Sequence, residues 1–295
     1  MNNQKPNILI ACNDEISLKF LEDELSKRNY TPILVTSEEE VIDKLTSDNI
    51  KLLITDLKLK EFKNGIEKVI DEHYFEKIKQ TRPNVEIIIY TGTETEIYKE
   101  PLGKISPYFQ LRKEKSPLEF ILLLIEFCLS LNEIDNNNKK GAILESLMEY
   151  IFNGIDGFSA RKNVRPPAAE IDILINNEIG FGFWQRVGYN IPVECKNLSE
   201  KVDSEMMRAF IRKISENIRF ESCNVALYIS PSGFTSDIKD VLIRENKISI
   251  VLMDDYRIKE FVSADNRVIL LKEYIGKCWT SEQDREFFMK KRNLI

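Results

Sequence analysis

The sequence predicts an α/β protein with two domains, and three features carry this prediction. The chain has 295 residues, which is more than one small hydrophobic core usually organises. Within residues 1–131, apolar runs of strand length alternate with helical segments, which is typical of a doubly wound five-stranded parallel sheet. Residues 132–140 are polar, include three consecutive asparagines and indicate a linker. Residues 141–295 are then expected to form a second α/β domain with a helical C-terminal tail.

The composition is that of an ordinary globular protein without a membrane partner. Hydrophobic residues make up 43% and charged residues 31% of the chain, and no apolar run approaches the roughly 20 residues of a membrane span. Residues 1–6 are polar and lead directly into a strand, so we expect no signal peptide and a cytoplasmic location. The five cysteines form no Cys-x-x-Cys pair, which fits a reducing cytoplasm and argues against structural zinc or disulfides. The net charge of −6 counts mildly against a nucleic-acid binder, although a nuclease needs only local basic patches.

The first domain is predicted to contain five strands and four helices. The helix at 17–27, for example, places Leu18, Leu21 and Leu25 on one face. The helix at 66–80 ends before Arg82-Pro83, because the residue before a proline disfavours the helical conformation. The predicted strands are 7–12, 32–35, 51–56, 86–91 and 108–112, and the predicted helices are 17–27, 38–45, 66–80 and 117–131.

Polar side chains stand at the carboxyl ends of four of these strands. In doubly wound sheets the functional groups lie at this edge. The side chains found there are Asn13 with Asp14, then Asp56, Thr91 and Lys113.

The order and spacing of these residues resemble those of the response-regulator receiver domain over residues 5–131. The resemblance implies that Asp56 is the phospho-accepting nucleophile and that Asp14, together with Asp56, holds Mg²⁺. It also implies that Thr91 hydrogen-bonds the new phosphate and that Lys113 pairs with it. This chemistry is coherent, because an acyl phosphate needs a carboxylate, a cation and a lysine at one point. A histidine kinase or a phosphotransfer protein is then the implied partner.

Three residues depart from the receiver pattern. Asn13 stands where the family usually has a first acid, so one metal ligand is neutral. Glu114 follows Lys113 in place of the usual proline, and Gln110 lies near the position where an aromatic switch residue is common. These departures leave open an alternative, in which the domain is not phosphorylated and serves as a docking or dimerisation module.

The second domain is predicted to follow the order helix, strand, strand, helix, strand, helix, strand. The apolar residues of its first helix, among them Leu144, Leu147 and Ile151, recur at helical spacing. A stretch rich in glycine and aromatic residues, 180–189, connects the first two strands as an elaborated hairpin. The predicted helices are 140–154, 202–220 and 237–246, the strands are 170–175, 192–197, 224–230 and 248–253, and the tail from Asp255 is helix, loop and helix.

Three charged residues lie on the first two of these strands. Glu194 and Lys196 are two residues apart and therefore project from the same face, with Cys195 turned the other way. Asp172 lies in an apolar strand, where a carboxylate costs free energy unless it is paired or binds metal. Two such carboxylates and a lysine indicate a divalent-metal site that acts on phosphate. By themselves, Glu194 and Lys196 also fit a simple ion pair on one strand.

Four ordered pieces of this domain resemble the Mrr-like branch of the PD-(D/E)xK restriction-endonuclease-like superfamily, over residues 139–262. The resemblance implies a restriction-endonuclease-like core with a mixed sheet. One departure is that Asp172 stands in a Glu-Ile-Asp setting rather than a Pro-Asp dipeptide, which this branch tolerates. The four pieces are 140–145 (KGAILE), 170–175 (EIDILI), 193–197 (VECKN) and 228–235 (YISPSGFT).

This second resemblance implies a metal-dependent endonuclease. Asp172, Glu194 and the carbonyl of Cys195 would hold Mg²⁺ or Mn²⁺, which lowers the pKa of a bound water and stabilises charge on the scissile phosphate. Lys196 would orient the attacking water and bind the phosphate. Glu145 would help to place this metal or a second one. The expected products carry a 5′ phosphate and a 3′ hydroxyl.

Basic side chains near these pieces are candidates for contacts to the phosphate backbone. DNA is the expected substrate, RNA is left open, and no residue pattern encodes a sequence preference. Cutting both strands of a duplex needs two sites, which favours a homodimer. The candidate contacts are Arg161, Lys162 and Arg165 before the first strand, and Arg208, Arg212 and Lys213 on the following helix.

Together the two domains predict an endonuclease that is controlled by phosphorylation of its receiver domain. The pairing of a nuclease with signal control suggests defence against foreign DNA. The alternative is a phosphorylation-regulated nucleic-acid-binding regulator that does not cleave. A metal-dependent gel shift without cleavage would favour this alternative. The set of Asp172, Glu194 and Lys196 speaks against it, because a binder has no need of all three.

Overall fold

The chain divides into two compact units, Met1–Glu133 and Ile134–Ile295. No helix within the described residues is both long and apolar enough to cross a membrane. The computed structural model describes residues 6–47, 49–60, 67–92, 108–131, 137–165, 170–216, 223–244 and 248–279.

The first unit is built around one parallel sheet. Its described strands are β1 (Asn7–Ala11), β2 (Thr31–Val35), β3 (Ile50–Thr55), β4 (Lys58–Lys60), β5 (Glu67–Val69), β6 (Glu86–Thr91) and β7 (Phe109–Arg112), and its described helices are α1 (Glu15–Lys27), α2 (Glu38–Ser47), α3 (Glu72–Thr81) and α4 (Leu118–Leu131). The sheet has the order β2-β1-β3-β6-β7, and each neighbouring pair is parallel. This confirms the predicted five-stranded parallel sheet.

The strands of this sheet are apolar because both of their faces are covered. Leu52, Leu53 and Ile54 of the central strand β3 are at most 1% exposed. Since all five strands run the same way, their carboxyl ends meet at one edge of the sheet. That edge therefore gathers the polar residues that follow β1, β3, β6 and β7.

The predicted helix at 66–80 is wrong in its first part. Strand β5 occupies Glu67–Val69 and pairs antiparallel with β4, and helix α3 begins only at Glu72. The side chain of Asp71 explains this start, because its Oδ1 accepts a hydrogen bond from the backbone N–H of Tyr74 at 3.2 Å and so caps the helix. Residue 66 lies outside the described residues.

The second unit is built around a mixed sheet. Its described strands are β8 (Phe158–Val164), β9 (Ile171–Asn177), β10 (Asn190–Cys195), β11 (Val225–Ile229) and β12 (Ser249–Met253), and its described helices are α5 (Asn137–Asn153), α6 (Gly182–Val187), α7 (Ser204–Glu216), α8 (Ile238–Arg244), α9 (Asp255–Ser263) and α10 (Arg267–Cys278). The order is β12-β11-β10-β9-β8. Strands β8, β9 and β10 pair antiparallel, whereas β10, β11 and β12 pair parallel. The predicted mixed sheet is confirmed.

Strand β8 is not among the predicted strands. Its second half contains Arg161, Lys162 and Asn163 and so lacks the apolar pattern of a strand. Pairing with the apolar strand β9 nevertheless holds it in the sheet, from Phe158 opposite Asn177 onwards. Asn163, whose φ is +52°, is left out of the paired register.

Two helix boundaries also differ from the predicted ones. Helix α5 begins at Asn137, so residues 137–140 of the predicted linker are helical, and residues 132–136 lie outside the described residues. Helix α7 begins at Ser204 rather than 202, because the side chain of Asp203 accepts a hydrogen bond from the backbone N–H of Met206 at 2.9 Å. The predicted end of this helix, 217–220, lies outside the described residues.

Candidate functional sites

In the first unit, two of the predicted residues, Lys113 and Thr91, converge on the carboxylate of Asp56. Lys113 donates from Nζ to Oδ2 of Asp56 at 2.8 Å, and the hydroxyl of Thr91 donates to Oδ1 at 2.7 Å. The backbone N–H of Leu57 also donates to Oδ1 at 2.7 Å. The side chain of Asp56 is 12% exposed, so the carboxylate is held in place but open to solvent at one side.

Lys113 is positioned by the pairing of β6 with β7, because its backbone N–H donates to the carbonyl of Thr91 at 3.0 Å. Burial disfavours its charge, but the hydrogen bond and the charge of Asp56 outweigh burial and raise the pKa of Lys113 above its ordinary value. The lysine is therefore a fixed cation beside the predicted phospho-acceptor.

The other acidic residue of this site lies at its rim. The carboxylate of Asp14 caps helix α1, accepting from the backbone N–H of Ile16 at 3.1 Å and from the hydroxyl of Ser17. Its side chain is 48% exposed and lies 3.9 Å from Nζ of Lys113. The Ser17 hydrogen bond, above all, lowers the pKa of Asp14, so this carboxylate stays charged.

A thiol that the sequence-based prediction leaves out lies nearer to the centre. Sγ of Cys12 is 3.7 Å from Oδ2 of Asp56 and 3.4 Å from Nζ of Lys113. The amide atoms of Asn13 are buried and make no hydrogen bond within the described residues. Carboxylate and amide oxygens are ligands that suit Mg²⁺, so Asp56, Asp14 and the unsatisfied amide of Asn13 fit a magnesium ion.

In the second unit, the three charged residues of the predicted nuclease site come together. Oδ2 of Asp172 on β9 accepts a hydrogen bond from the backbone N–H of Cys195 at 2.8 Å. Nζ of Lys196 lies 2.6 Å from Oε1 of Glu194 and 3.7 Å from Oδ2 of Asp172. Glu194 is largely buried, and its side chain is 8% exposed. The antiparallel pairing of β9 with β10 produces this arrangement.

Helix α7 contributes Lys213 to this site, a position that the sequence did not predict. Lys213 was expected to contact the nucleic-acid backbone, yet its Nζ lies 2.6 Å from Oε2 of Glu194 and 4.0 Å from Oδ1 of Asp172. Its position one residue before the buried Ile214 on an amphipathic helix was the available signal, since it places the lysine beside the face that packs on the sheet.

Glu145 on α5 lies within electrostatic reach of the same pair. Burial, followed by the negative charge of Asp172, raises the pKa of Glu145. Burial, followed by the charge of Glu194, raises the pKa of Asp172. Burial opposes the charge of Lys196, but the two carboxylates raise its pKa as well. The site thus concentrates negative charge that cations relieve.

These oxygen donors fit a divalent metal. Asp172 and Glu194 offer carboxylate oxygens from neighbouring strands, and hard cations such as Mg²⁺ prefer oxygen ligands. Within the described residues, no group of three or more His, Cys, Asp and Glu side chains is arranged to hold a metal ion. A metal held by Asp172 and Glu194 would therefore need further oxygen ligands, such as the waters that Mg²⁺ usually keeps.

The predicted backbone contacts fall into two groups. Arg161 donates to Oδ1 of Asn176 at 3.0 Å, and Nε of Arg165 lies 3.3 Å from Glu170. Lys162 donates to the hydroxyl of Ser146 at 2.9 Å and lies 3.5 Å from Glu149. The residues near β8 are thus engaged within the protein.

The second group lines a groove between α7 and α8 with a volume of about 540 Å³. Arg208 and Arg212 of α7 and Arg244 of α8 are exposed there. Among the described residues, none of the three forms an ion pair, although Asp237 and Asp240 also line the groove.

Comparison with known proteins identifies the second unit. Residues 138–262 match the Mrr_cat family model, which describes a restriction endonuclease. The predicted Mrr-like resemblance over residues 139–262 is therefore confirmed, and this part of the chain is a nuclease domain. Glu145, Asp172, Glu194 and Lys196 all lie within the matched residues. No curated protein matches the chain.

Solved structures similar to part of the chain include receiver domains. A response regulator receiver protein from Sinorhizobium medicae WSM419 is 18% identical, with a TM-score of 0.37, 44% of this chain and 98% of that chain covered. The non-phosphorylated HemR receiver domain from Leptospira biflexa is 17% identical, with a TM-score of 0.37, 45% of this chain and 100% of that chain covered. The receiver character of the first unit rests on its own strand order and on the residues around Asp56.

Proposed function

We propose that this protein is a divalent-metal-dependent endonuclease, controlled through Asp56 of a receiver domain at residues 1–131. The nuclease domain begins with helix α5 at Asn137, and residues 132–136 join the two domains. The observation that carries the proposal is the compact set of Asp172, Glu194 and Lys196, with the N–H of Cys195 fixing the aspartate.

The residues of the nuclease site have separable tasks. Asp172, Glu194 and the carbonyl of Cys195 hold the metal, with Mg²⁺ or Mn²⁺ as the ion. When bound, such a metal lowers the pKa of a coordinated water and stabilises charge on the phosphate. Lys196 binds the scissile phosphate and orients the attacking water. Glu145, whose pKa is raised, helps to place the metal.

DNA is the proposed substrate, and its backbone lies along the α7–α8 groove. Arg208, Arg212 and Arg244 are exposed and not ion-paired within the described residues, so no ion pair has to break before they bind phosphate. Arg161 and Arg165 contribute less, because Asn176 and Glu170 already engage them. An RNA substrate is the other outcome of the cleavage test.

Regulation is proposed to act through phosphorylation of Asp56 by a histidine kinase or a phosphotransfer protein. Lys113 and Thr91 already contact the two oxygens of Asp56, and they are placed to bind a phosphoryl group added there. A homodimer would present two nuclease sites to a duplex. Under this proposal the protein acts in the cytoplasm, in defence against foreign DNA.

The decisive experiment measures cleavage of plasmid DNA and of RNA by the full chain with Mg²⁺, Mn²⁺ or a chelator. We expect cleavage with metal, none with chelator, and none for Asp172→Ala or Lys196→Ala. Lys201→Ala is the matched control, because Lys201 is exposed and lies beyond the end of strand β10. Full activity of the first two variants would show that the site is wrongly assigned. Metal-dependent binding without any cleavage would favour a non-catalytic regulator.

A further inference from the structure

Each oxygen of Glu194 has its own ammonium partner. Lys196, from the same strand, lies 2.6 Å from Oε1, and Lys213, from helix α7, lies 2.6 Å from Oε2. Both lysines also approach Asp172, Lys196 at 3.7 Å from Oδ2 and Lys213 at 4.0 Å from Oδ1. Two lysines thus contact different oxygens of the carboxylate pair, although only Lys196 belongs to the Glu-x-Lys motif.

Packing of α7 on the sheet fixes the position of Lys213. Phe210, one turn earlier on α7, packs edge-on against Tyr228 of β11 with ring centroids 5.1 Å apart. Tyr228 is the register partner of Glu194 in the parallel pairing of β10 with β11. The neighbouring Ile214 is 3% exposed in the same hydrophobic cluster. The lysine stem therefore starts from a rigid surface, and its side chain is 19% exposed at the site.

We propose that Lys213 is a second phosphate-binding lysine of the nuclease site, and that it occupies an oxygen of Glu194 until a divalent metal displaces it. This inference rests on the proposed function. An ammonium and a divalent cation repel each other when they share one carboxylate oxygen, so the metal must push Lys213 aside. The freed ammonium remains tethered by α7 beside the metal, where the scissile phosphate has to bind.

The charges favour this role over a purely structural ion pair. Lys196 and Lys213 balance the charges of Asp172 and Glu194, which leaves Glu145 as the remaining negative charge of this group before metal binds. Metal binding then leaves an excess of positive charge, which suits an anionic phosphodiester and its more highly charged transition state. Lys196 and Lys213 approach from a strand and a helix respectively, so they can bind different oxygens of one phosphate.

The inference is tested by Mn²⁺ binding to the full chain without nucleic acid, measured by calorimetry or electron paramagnetic resonance. Lys213→Met removes a competing cation that lies 2.6 Å from Oε2 of Glu194, so Mn²⁺ should bind at least about fivefold more tightly. Lys213→Arg keeps the charge and should bind Mn²⁺ like the native chain. Lys201→Met serves as the exposed control. If Lys213→Met does not fold, Lys213→Gln gives the same comparison.

Cleavage at saturating Mn²⁺ supplies the second readout. Lys213→Met should cleave at least about tenfold more slowly with a raised KM for nucleic acid, since one good charged contact to phosphate is lost. Tighter Mn²⁺ binding together with slower cleavage is the pattern that a merely structural lysine would not give. Unchanged or weaker Mn²⁺ binding, or cleavage at the native rate, overturns the inference while leaving the endonuclease intact. A native chain that neither binds Mn²⁺ nor cleaves overturns both.

Discussion

The ammonium of Lys113 lies 2.8 Å from Oδ2 of Asp56, and the two residues directly follow the ends of strands β7 and β3. This contact places a fixed cation on the carboxylate that the receiver resemblance marks for phosphorylation. A small acyl-phosphate donor should therefore change the cleavage rate of the native chain but not that of Asp56→Asn. The measurement compares both proteins with and without the donor. Equal rates in all four conditions would leave the receiver domain as a docking or dimerisation module.

The affinity of the nuclease site for a divalent metal should fall as the pH falls, because protonated carboxyl groups do not bind metal. The pKa values of Asp172 and Glu145 are raised, so these groups keep their protons to a higher pH than ordinary carboxyls near pH 4. A carboxyl must lose its proton to bind metal, so Mn²⁺ affinity should fall as the pH drops through this raised range.

Calorimetric titration of the full chain with Mn²⁺ at several pH values checks this dependence. Glu145→Gln should move the onset of the fall to lower pH, because it removes a carboxyl group whose own raised pKa contributes to the fall. Glu149→Gln is a suitable control on the same helix. An affinity that stays constant down to about pH 4.5 would contradict the prediction.

The α7–α8 groove should carry more of the nucleic-acid affinity than the β8 side. Arg212→Ala and Arg244→Ala should each weaken binding and lower the slope of log affinity against log salt by about 1. Arg161→Ala should change the slope little, because its guanidinium already donates to Asn176. Fluorescence anisotropy with a labelled duplex, at several salt concentrations and with metal replaced by Ca²⁺, measures the effect. If Arg161→Ala lowered the salt slope more than Arg212→Ala and Arg244→Ala, the nucleic-acid backbone would instead lie along β8.

The observed start of helix α3 at Glu72 and the start at residue 66 predicted from the sequence lead to opposite effects of an alanine at position 71 on helix stability. Asp71 caps the helix, so Asp71→Ala should destabilise α3 by about 1 kcal/mol and speed amide exchange over Glu72–Thr81. If Asp71 lay inside a longer helix, alanine would be the better helix former and exchange would slow. Lys77→Ala, an exposed change within α3, is the control for hydrogen-exchange mass spectrometry.

The sequence predicted the elements whose hydrophobic pattern matches the way they are buried in the fold. The strands of the first sheet are buried on both faces, so β3 and β6 appear as continuous apolar runs. The pair Glu194 and Lys196 was visible because a strand has a period of two. Strand β8 escaped detection because its pairing partner, and not its own composition, makes it a strand.

The site residues that were missed depend on contacts distant in sequence. Lys213 reaches Glu194 across 19 positions, through the packing of α7 on β11. The helical pattern places Lys213 beside the buried face of α7, but it does not say which strand residue that face meets. Cys12 lies beside Asp56 across 44 positions because β1 and β3 are parallel neighbours. The sequence analysis assigned Asp14 and not Cys12 to this site, whereas the end of β1 brings the thiol of Cys12 beside Asp56.

Strand β10, which carries Glu194, lies in the middle of its sheet, paired to β9 on one side and to β11 on the other. A strand anchored on both edges cannot shift without breaking two ladders, and such strands open only near the free energy of global unfolding. Glu194 is consequently a stationary component. A regulatory signal can therefore change activity at low energetic cost only if it moves groups around β10 and leaves β10 itself in place. The side chain of Lys213, the groove beside α8 and the access of substrate are the elements free to respond.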